Sequence, residues 1–378
     1  LVFWAAQKMT RGTALMEMLS DVDDPRQPRN GTRHDFLELL VMTVSAVLSD
    51  CDTIEDVAAW SRAHTGWLRQ FLVLKNGVPS EDTFLRVFRL LDPKQFEACF
   101  RRWVSHLIPT LGGTIAVDGK TVRGSGNGGE TAVHMVSAFA TRLGLVLAQE
   151  KVSAKSNEIT AIPELLDALY LKGCLVSIDA MGCQRTIAEK ILARKADYLL
   201  AVKGNQPKLH QAIQDAFLNR KDQRVHVDQA EQGHGRIMVQ RCSVLPATGI
   251  VSESDWPRCA VIARIDSIRQ VKGKAPSMEQ RYYIASRHLA PAEVAEAVRS
   301  HWGIENQLHW VLDVTLKEDA STVRKDNAPE NLSLLKKIVL NLLRMDTTDS
   351  VKSSLRLKRK RAAWDEDLRM RFLGLSPL

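Results

Sequence analysis

Within RSHWGIENQLHWVLDVTLKED, residues 299–319, His301, Glu305 and His309 recur every four residues and so share one face of a single amphipathic helix. Three chemistries fit that face. Imidazoles repeated at helical spacing can hold zinc, although here the two histidines stand eight apart with Glu305 between them, unlike HExxH. Glu305 can be a catalytic carboxylate carried on a helix. The residues can also be packing, with Trp302, Leu308, Val311 and Leu312 as a buried stripe and the histidines half-buried beside it. Two further carboxylates, Asp118 in IAVDGK and Asp179 in VSIDAMG, each follow a run of small or branched apolar residues. An ionised group there is costly unless a cation compensates it. A divalent metal is a natural compensation, and Mg²⁺, with Mn²⁺ tolerated, prefers such oxygen ligands while keeping waters and phosphate oxygens. Glu305 is the candidate third ligand. The plainer reading of each aspartate is a turn former or helix cap.

The elements that must bring these groups together change character near residue 112. Before it, DFLELLVMTVSAVLSD, TIEDVAAWSRAHTGWLRQFL and DPKQFEACFRRWVSHLI have apolar spacings of three and four, with Thr53, Ser80 and Asp92 placed to cap helices. Residues 9–111 read as an all-helical N-terminal domain. From Gly113 three strands follow as a meander, TIAVDGK, AVHMVSAFATR and LGLVLAQEKVS. A helix, EITAIPELLDALYL, leads into the strand CLVSIDA, and a second, RTIAEKILARK, into DYLLAVKG. Three antiparallel strands followed by two helix-linked parallel ones make an α/β domain with a mixed five-stranded sheet in the ribonuclease H-like order. Asp118 ends the first strand and Asp179 the fourth, and those strands are neighbours. The domain spans 112–345, with a β-rich insertion at 221–289 and the Glu305 helix starting near Pro291.

Size and charge set the outer limits. The 378 residues, 45% of them hydrophobic, are enough for two or three domains with real cores, and the net charge of +8 favours a polyanionic partner. Six cysteines without a CxxC pair suggest neither a disulfide framework nor a zinc ribbon, and a reducing cytoplasm is expected. The apolar run FLELLVMTVSAVL is too short for a membrane span and carries Glu38. The opening LVFWAA has neither a basic leader nor a cleavage site; it reads as an addition ahead of a start at Met9. Phosphate contacts are expected from Lys120 and Arg123 just past the first aspartate, from Lys203 in VKGNQ, and from Arg299, His301 and His309 around the glutamate. They are also expected from the basic C-terminal tail, 346–378, through Arg356, Lys358, Arg359, Lys360 and Arg361. PSEDTFLRVFRLL can present Arg86 and Arg89 on one helix face.

Six motifs, VDGKTVRGS, KSNEITAIPELL, IDAMGCQRTIAEKI, DYLLAVKGNQPKL, RSHWGIENQLHWVLDVTLKED and NAPENLSLLKK, occur in this order. Together they closely resemble the H-repeat-associated, or ISAs-type, insertion-sequence transposases of bacteria, from about residue 20 to 345. The resemblance implies a DDE triad of Asp118, Asp179 and Glu305 on a ribonuclease H-like core, Mg²⁺ dependence and an N-terminal helical associated domain. It also implies double-stranded DNA as partner, as terminal inverted repeats and as target, with a homodimer in the DNA complex. Where related transposases carry Tyr, Arg and Lys around the glutamate, this chain has Val298, His301 and Leu312, and where an acidic residue would follow HGRI it has Met238. Two alternatives stay open: a transposase-derived protein that binds DNA without cutting it, and a zinc hydrolase built on His301, Glu305 and His309.

Overall fold

The computed structural model describes residues 15–27, 32–108, 111–127, 131–153, 156–221, 224–233, 236–271, 275–346 and 353–375. The expected start at Met9 lies outside them. After a helical stretch at 15–20 come helices α1 (Phe36–Leu48), α2 (Ile54–Ala63), α3 (Glu81–Leu90) and α4 (Pro93–Leu107). Thr53 and Asp56 cap α2 reciprocally, and Asp92 accepts from Lys94 N ahead of a proline at the first helical position. Ser80 precedes α3 as expected, but its hydroxyl meets Thr83 Oγ1 rather than a helix N–H.

The sheet strands are β1 (Thr114–Val122), β2 (Val133–Ala140), β3 (Leu145–Lys151), β4 (Leu175–Ile178) and β5 (Asp197–Val202), with α5 (Glu158–Asp167) before β4 and α6 (Arg185–Ala193) before β5. β1, β2 and β3 form the antiparallel meander, and β4 and β5 run parallel to β1. After α7 (Pro207–Asn219) come β6 (Val225–Gly233), β7 (Arg236–Pro246), β8 (Val261–Val271) and β9 (Ser277–Ala285). Here the structure departs from the five-stranded expectation: the sheet has nine strands among the described residues, in the order β3-β2-β1-β4-β5-β9-β8-β7-β6. β9 pairs with the outer edge of β5, so the stretch read as an insertion continues the same sheet. An open strand edge offers unpaired N–H and C=O groups, and further pairing satisfies them.

The long helix runs as α8 (Pro291–Gly303), a π-helical turn (Ile304–His309) and α9 (Trp310–Val314). α10 (Ala328–Met345) crosses the middle of the molecule with most of its surface buried. Asn341 pins it to β3 by bonding both the N–H and the C=O of Val146 at 2.9 Å. Asn331 pins it to the N-terminal helices by donating to Phe88 O and Leu91 O. One continuous hydrophobic core therefore joins the N-terminal helices, the sheet and the C-terminal α11 (Leu355–Trp364) and α12 (Glu366–Leu373). No helix among the described residues is long and apolar enough to cross a membrane.

Candidate active site

The parallel pairing of β1 and β4 sets two of the three carboxylates. Val117 is in register with Ile178, so Asp118 is the next residue on β1 and Asp179 directly follows the end of β4. Asp118 does not end its strand as expected; β1 continues to Val122 and Asp118 faces Ser137 of β2 across the ladder. Asp179 does leave the sheet, and its Oδ1 accepts from Met181 N at 3.0 Å and Gly182 N at 3.2 Å. It is thus a turn former as well as a site carboxylate, because one oxygen of the pair serves the turn.

Glu305 arrives from above on the expanded turn. Trp310 N bonds back to Glu305 O, five residues earlier rather than four. Oxygens of Asp118 and Glu305 and a nitrogen of His309 lie within 4.8 Å of one another. His309 Nδ1 is 2.9 Å from Glu305 Oε2 and 3.8 Å from Asp118 Oδ2. A carboxylate can only accept, so Nδ1 is the donor and the buried Nε2 bears the lone pair. Asp118, Asp179 and Glu305 line a single cavity with Lys203, His301 and Trp302, and the Arg281 guanidinium lies over the Trp302 ring at 4.7 Å.

The electrostatics of the cavity favour an added cation. Burial pushes the Asp118 carboxyl up to about 7; a bond from Gly119 N–H opposes this, and the neighbouring Asp179, Glu158 and Glu305 add to it. Burial also lowers the His309 and His301 imidazoles below their usual range, against the pull of Glu305 on the first and Asp179 on the second. Both histidines are therefore poor cations, and among the described residues no Lys or Arg forms an ion pair with Asp118, Asp179 or Glu305. Mostly oxygen donors, crowded and undercompensated, suit a hard divalent ion. The tight group contains His309 and not His301, so the zinc arrangement of two histidines with Glu305 does not assemble among the described residues.

Several expected phosphate contacts are placed elsewhere. Lys120 turns inward and meets Asp313, Glu318 and Asp319 at 2.7, 2.9 and 3.1 Å, because β-strand alternation puts it on the same face as Asp118, under the segment after α9. His309 is 4% exposed and committed to Glu305. The basic C-terminal run is no loose tail but helix α11: Arg359 is 1% exposed, bonds Val47 O, Cys51 O and Thr315 O, and pairs with Asp50 and Asp52. Lys358 donates to Leu343 O and Asp346 O at the end of α10. These contacts commit Lys120, His309 and Arg359 to partners within the chain, and Lys358 is half-buried against the end of α10. Arg123 and Arg356 remain exposed, as does Lys203 at the cavity. Arg299 is exposed and bonds Gln229, Arg361 bonds Ser353 Oγ, and Lys360 is half-buried.

Sequence reasoning missed a second acidic group. Glu158, the first residue of α5, bonds His134 Nε2 at 2.7 Å, and His134 Nδ1 meets Thr121 Oγ1 at 2.8 Å. A Cβ on Gly119 would collide with the Glu158 carboxylate and with His134 Nε2, so glycine is what lets this pair close over β1 next to Asp118. A glycine directly after a strand aspartate, with a glutamate following a helix cap at Asn157, was the available signal.

Comparison with known proteins gives this geometry a family. Residues 109–342 match the model described as "Transposase DDE domain", and residues 16–104 match "DDE_Tnp_1-associated". "Putative transposase YncI" of Escherichia coli O157:H7 is 42% identical over 361 residues, 93% of this chain and 92% of the relative. "H repeat-associated putative transposase YhhI" of Escherichia coli K12 is 39% identical over 93% of this chain and 96% of the relative. A solved piggyBac transposase synaptic complex with hairpin DNA has 11% identity and a TM-score of 0.47, over 97% of this chain and 80% of that one, a likeness too slight to add to this. With the domain match spanning more than half of the chain and the relatives aligned along nearly all of it, the chain belongs to the DDE transposase family.

Proposed function

We propose that this chain cleaves the ends of an insertion sequence and transfers the resulting 3′-OH strands to target DNA, with Asp118, Asp179 and Glu305 as the catalytic carboxylates. The observation that carries the reading is the convergence of these three on one cavity from β1, the end of β4 and the π turn. Divalent ions, Mg²⁺ or Mn²⁺, would be held by the triad and would polarise the scissile phosphate and activate the attacking oxygen. The chain's own groups do the rest. Asp118 on β1 and Asp179 just past β4 hold adjacent positions; His309 fixes the rotamer of Glu305; Lys203 and Arg123 meet the phosphodiester backbone, and Arg299, His301, Arg356, Lys360 and Arg361 add further phosphate contacts. On this reading β1–β5 are a ribonuclease H-like core extended by β6–β9. Residues 9–111 form the end-binding domain, and two copies pair on DNA in the bacterial cytoplasm.

The test uses purified full-length chain and linear DNA carrying the element's own terminal repeats. With Mg²⁺ or Mn²⁺, cleavage exposing a 3′-OH and joined target product are expected, and both disappear in EDTA. Retained binding to the repeats with no cleavage in either metal would overturn the reading in favour of a DNA-binding role alone.

A further inference from the structure

The π turn that presents Glu305 is energetically unusual. Runs of π-helix are rare, because the wider turn leaves carbonyls without the usual partner. It also rotates everything beyond it by about one residue step, roughly 100°, relative to an unbroken helix. An α-helical register would therefore separate the Glu305 face from the face carrying Leu312 and Asp313, which are tied to the core and to Lys120. Something must hold the wider turn open.

Arg344, near the end of α10, is placed to do so. Its Nη2 donates to Gln307 O inside the π turn, and its Nη1 donates to Gly144 O in the turn between β2 and β3. The guanidinium lies over the Phe139 ring at 5.3 Å. Gly144 has φ +71°, which orients its carbonyl in a backbone conformation that a side chain would strain. Among the described residues the partners of Arg344 are carbonyls and a ring rather than a carboxylate. Burial lowers the guanidinium to about 10.

We infer that Arg344 is a positioning residue for the metal-binding carboxylates: by capturing Gln307 O it holds the π register that keeps Glu305 against Asp118. The inference rests on the DDE reading of Asp118 and Glu305. Arg344 acts through the backbone of the turn, and Gly144 and Phe139 hold it in place.

The experiment measures Mn²⁺ binding to full-length chain, by titration followed through the free-ion electron paramagnetic resonance signal, for wild type, Arg344→Met, Arg344→Lys and Glu305→Gln. Loss of an outer-layer partner of this kind weakens metal binding by about 10- to 100-fold. Arg344→Met should fall in that range with a native circular dichroism spectrum and undiminished DNA binding. Arg344→Lys keeps the charge but not the two-carbonyl fork, and should lie between Arg344→Met and wild type; it carries the test if the methionine variant does not fold. Wild-type Mn²⁺ affinity in a folded Arg344 variant, with Glu305→Gln impaired, would overturn this inference alone. Wild-type affinity in Glu305→Gln would instead overturn the triad reading beneath it.

Discussion

His309 Nδ1 donates to Glu305 Oε2 at 2.9 Å from a nearly closed environment, four residues along an expanded helical turn. The imidazole turns its N–H edge to the Asp118–Glu305 pair, and burial keeps it from becoming a full cation. It orients the glutamate without neutralising it, so the pair retains its demand for a metal ion.

His309→Ala should then lower the rate of end cleavage by about 10- to 100-fold, the usual effect of removing a partner that orients a ligand. Affinity for DNA should not change, since the ring is buried. Cleavage kinetics against DNA concentration separate the two: a fall in the maximal rate at constant half-saturation is expected. A raised half-saturation with an unchanged rate would return His309 to a phosphate-binding role.

Asp118→Asn, Asp179→Asn and Glu305→Gln should each abolish cleavage and strand transfer while leaving end binding intact. Ligands of one site act as a unit, so combining them adds little. Assays on a substrate with native ends decide this, and full cleavage by Asp179→Asn would sink the assignment.

Asp118 also makes a stability prediction. Its carboxyl is raised to about 7 in the fold from an ordinary value of 3.8, so between those pH values the native state binds more protons than the unfolded chain. Stability of the metal-free protein should therefore fall as pH rises from about 4 to 7. Asp118→Asn should remove much of that slope and melt higher than wild type at pH 8 in EDTA. Equal slopes in the two proteins would show that another group dominates.

The meeting of Asp118, Asp179 and Glu305 at one cavity could be read from the sequence because each carboxylate follows a strong local pattern. Apolar runs mark β1 and β4, the antiparallel meander and α5 bring the chain back so that β4 runs parallel beside β1, and helical spacing identifies the Glu305 segment. The π turn was not legible, since its cause, Arg344 on Gln307 O, lies 37 residues away in the chain. Nor was the joining of β9 to β5, which depends on edge pairing rather than on local periodicity. The fates of Lys120, Lys358 and Arg359 were hidden for a related reason. A run of cations such as LRLKRKR looks solvated until its acidic and carbonyl partners, here Asp50, Asp52, Leu343 and Asp346, are brought in by the fold.

Lys120 illustrates the consequence. Its ammonium compensates Glu318, which is 2% exposed, together with Asp313 and Asp319. Lys120→Met removes the ammonium that hydrogen-bonds that carboxylate while Lys337, Lys336 and the Ser333 hydroxyl still act on it, and losing one charged hydrogen-bond partner costs about 1.5–3 kcal/mol. Urea unfolding should show a loss of that size, larger than for Arg123→Met, whose side chain is 82% exposed. If Lys120→Met instead left stability unchanged and weakened DNA binding, the phosphate role would be restored.

The C-terminal helices should separate structure from DNA contact. Truncation after Ser354 would remove Arg359, whose guanidinium fills the space between Val47 O, Cys51 O and Thr315 O. It would also remove Arg369, which is fully buried with its guanidinium over the Trp60 and Trp67 rings at 5.1 and 4.0 Å. The shortened chain should therefore unfold or aggregate, and its loss of DNA binding would say nothing about phosphate contacts. Exposed positions answer the question without that confusion. Each phosphate contact contributes about 0.9 to the slope of log affinity against log salt. Arg356→Gln should flatten that slope by about one such increment on specific and random duplexes alike, with an unchanged melting temperature, whereas Arg359→Gln should lower the melting temperature first. Parallel salt titrations and thermal melts of the two variants read both effects. An unchanged slope in Arg356→Gln would remove α11 from the DNA interface.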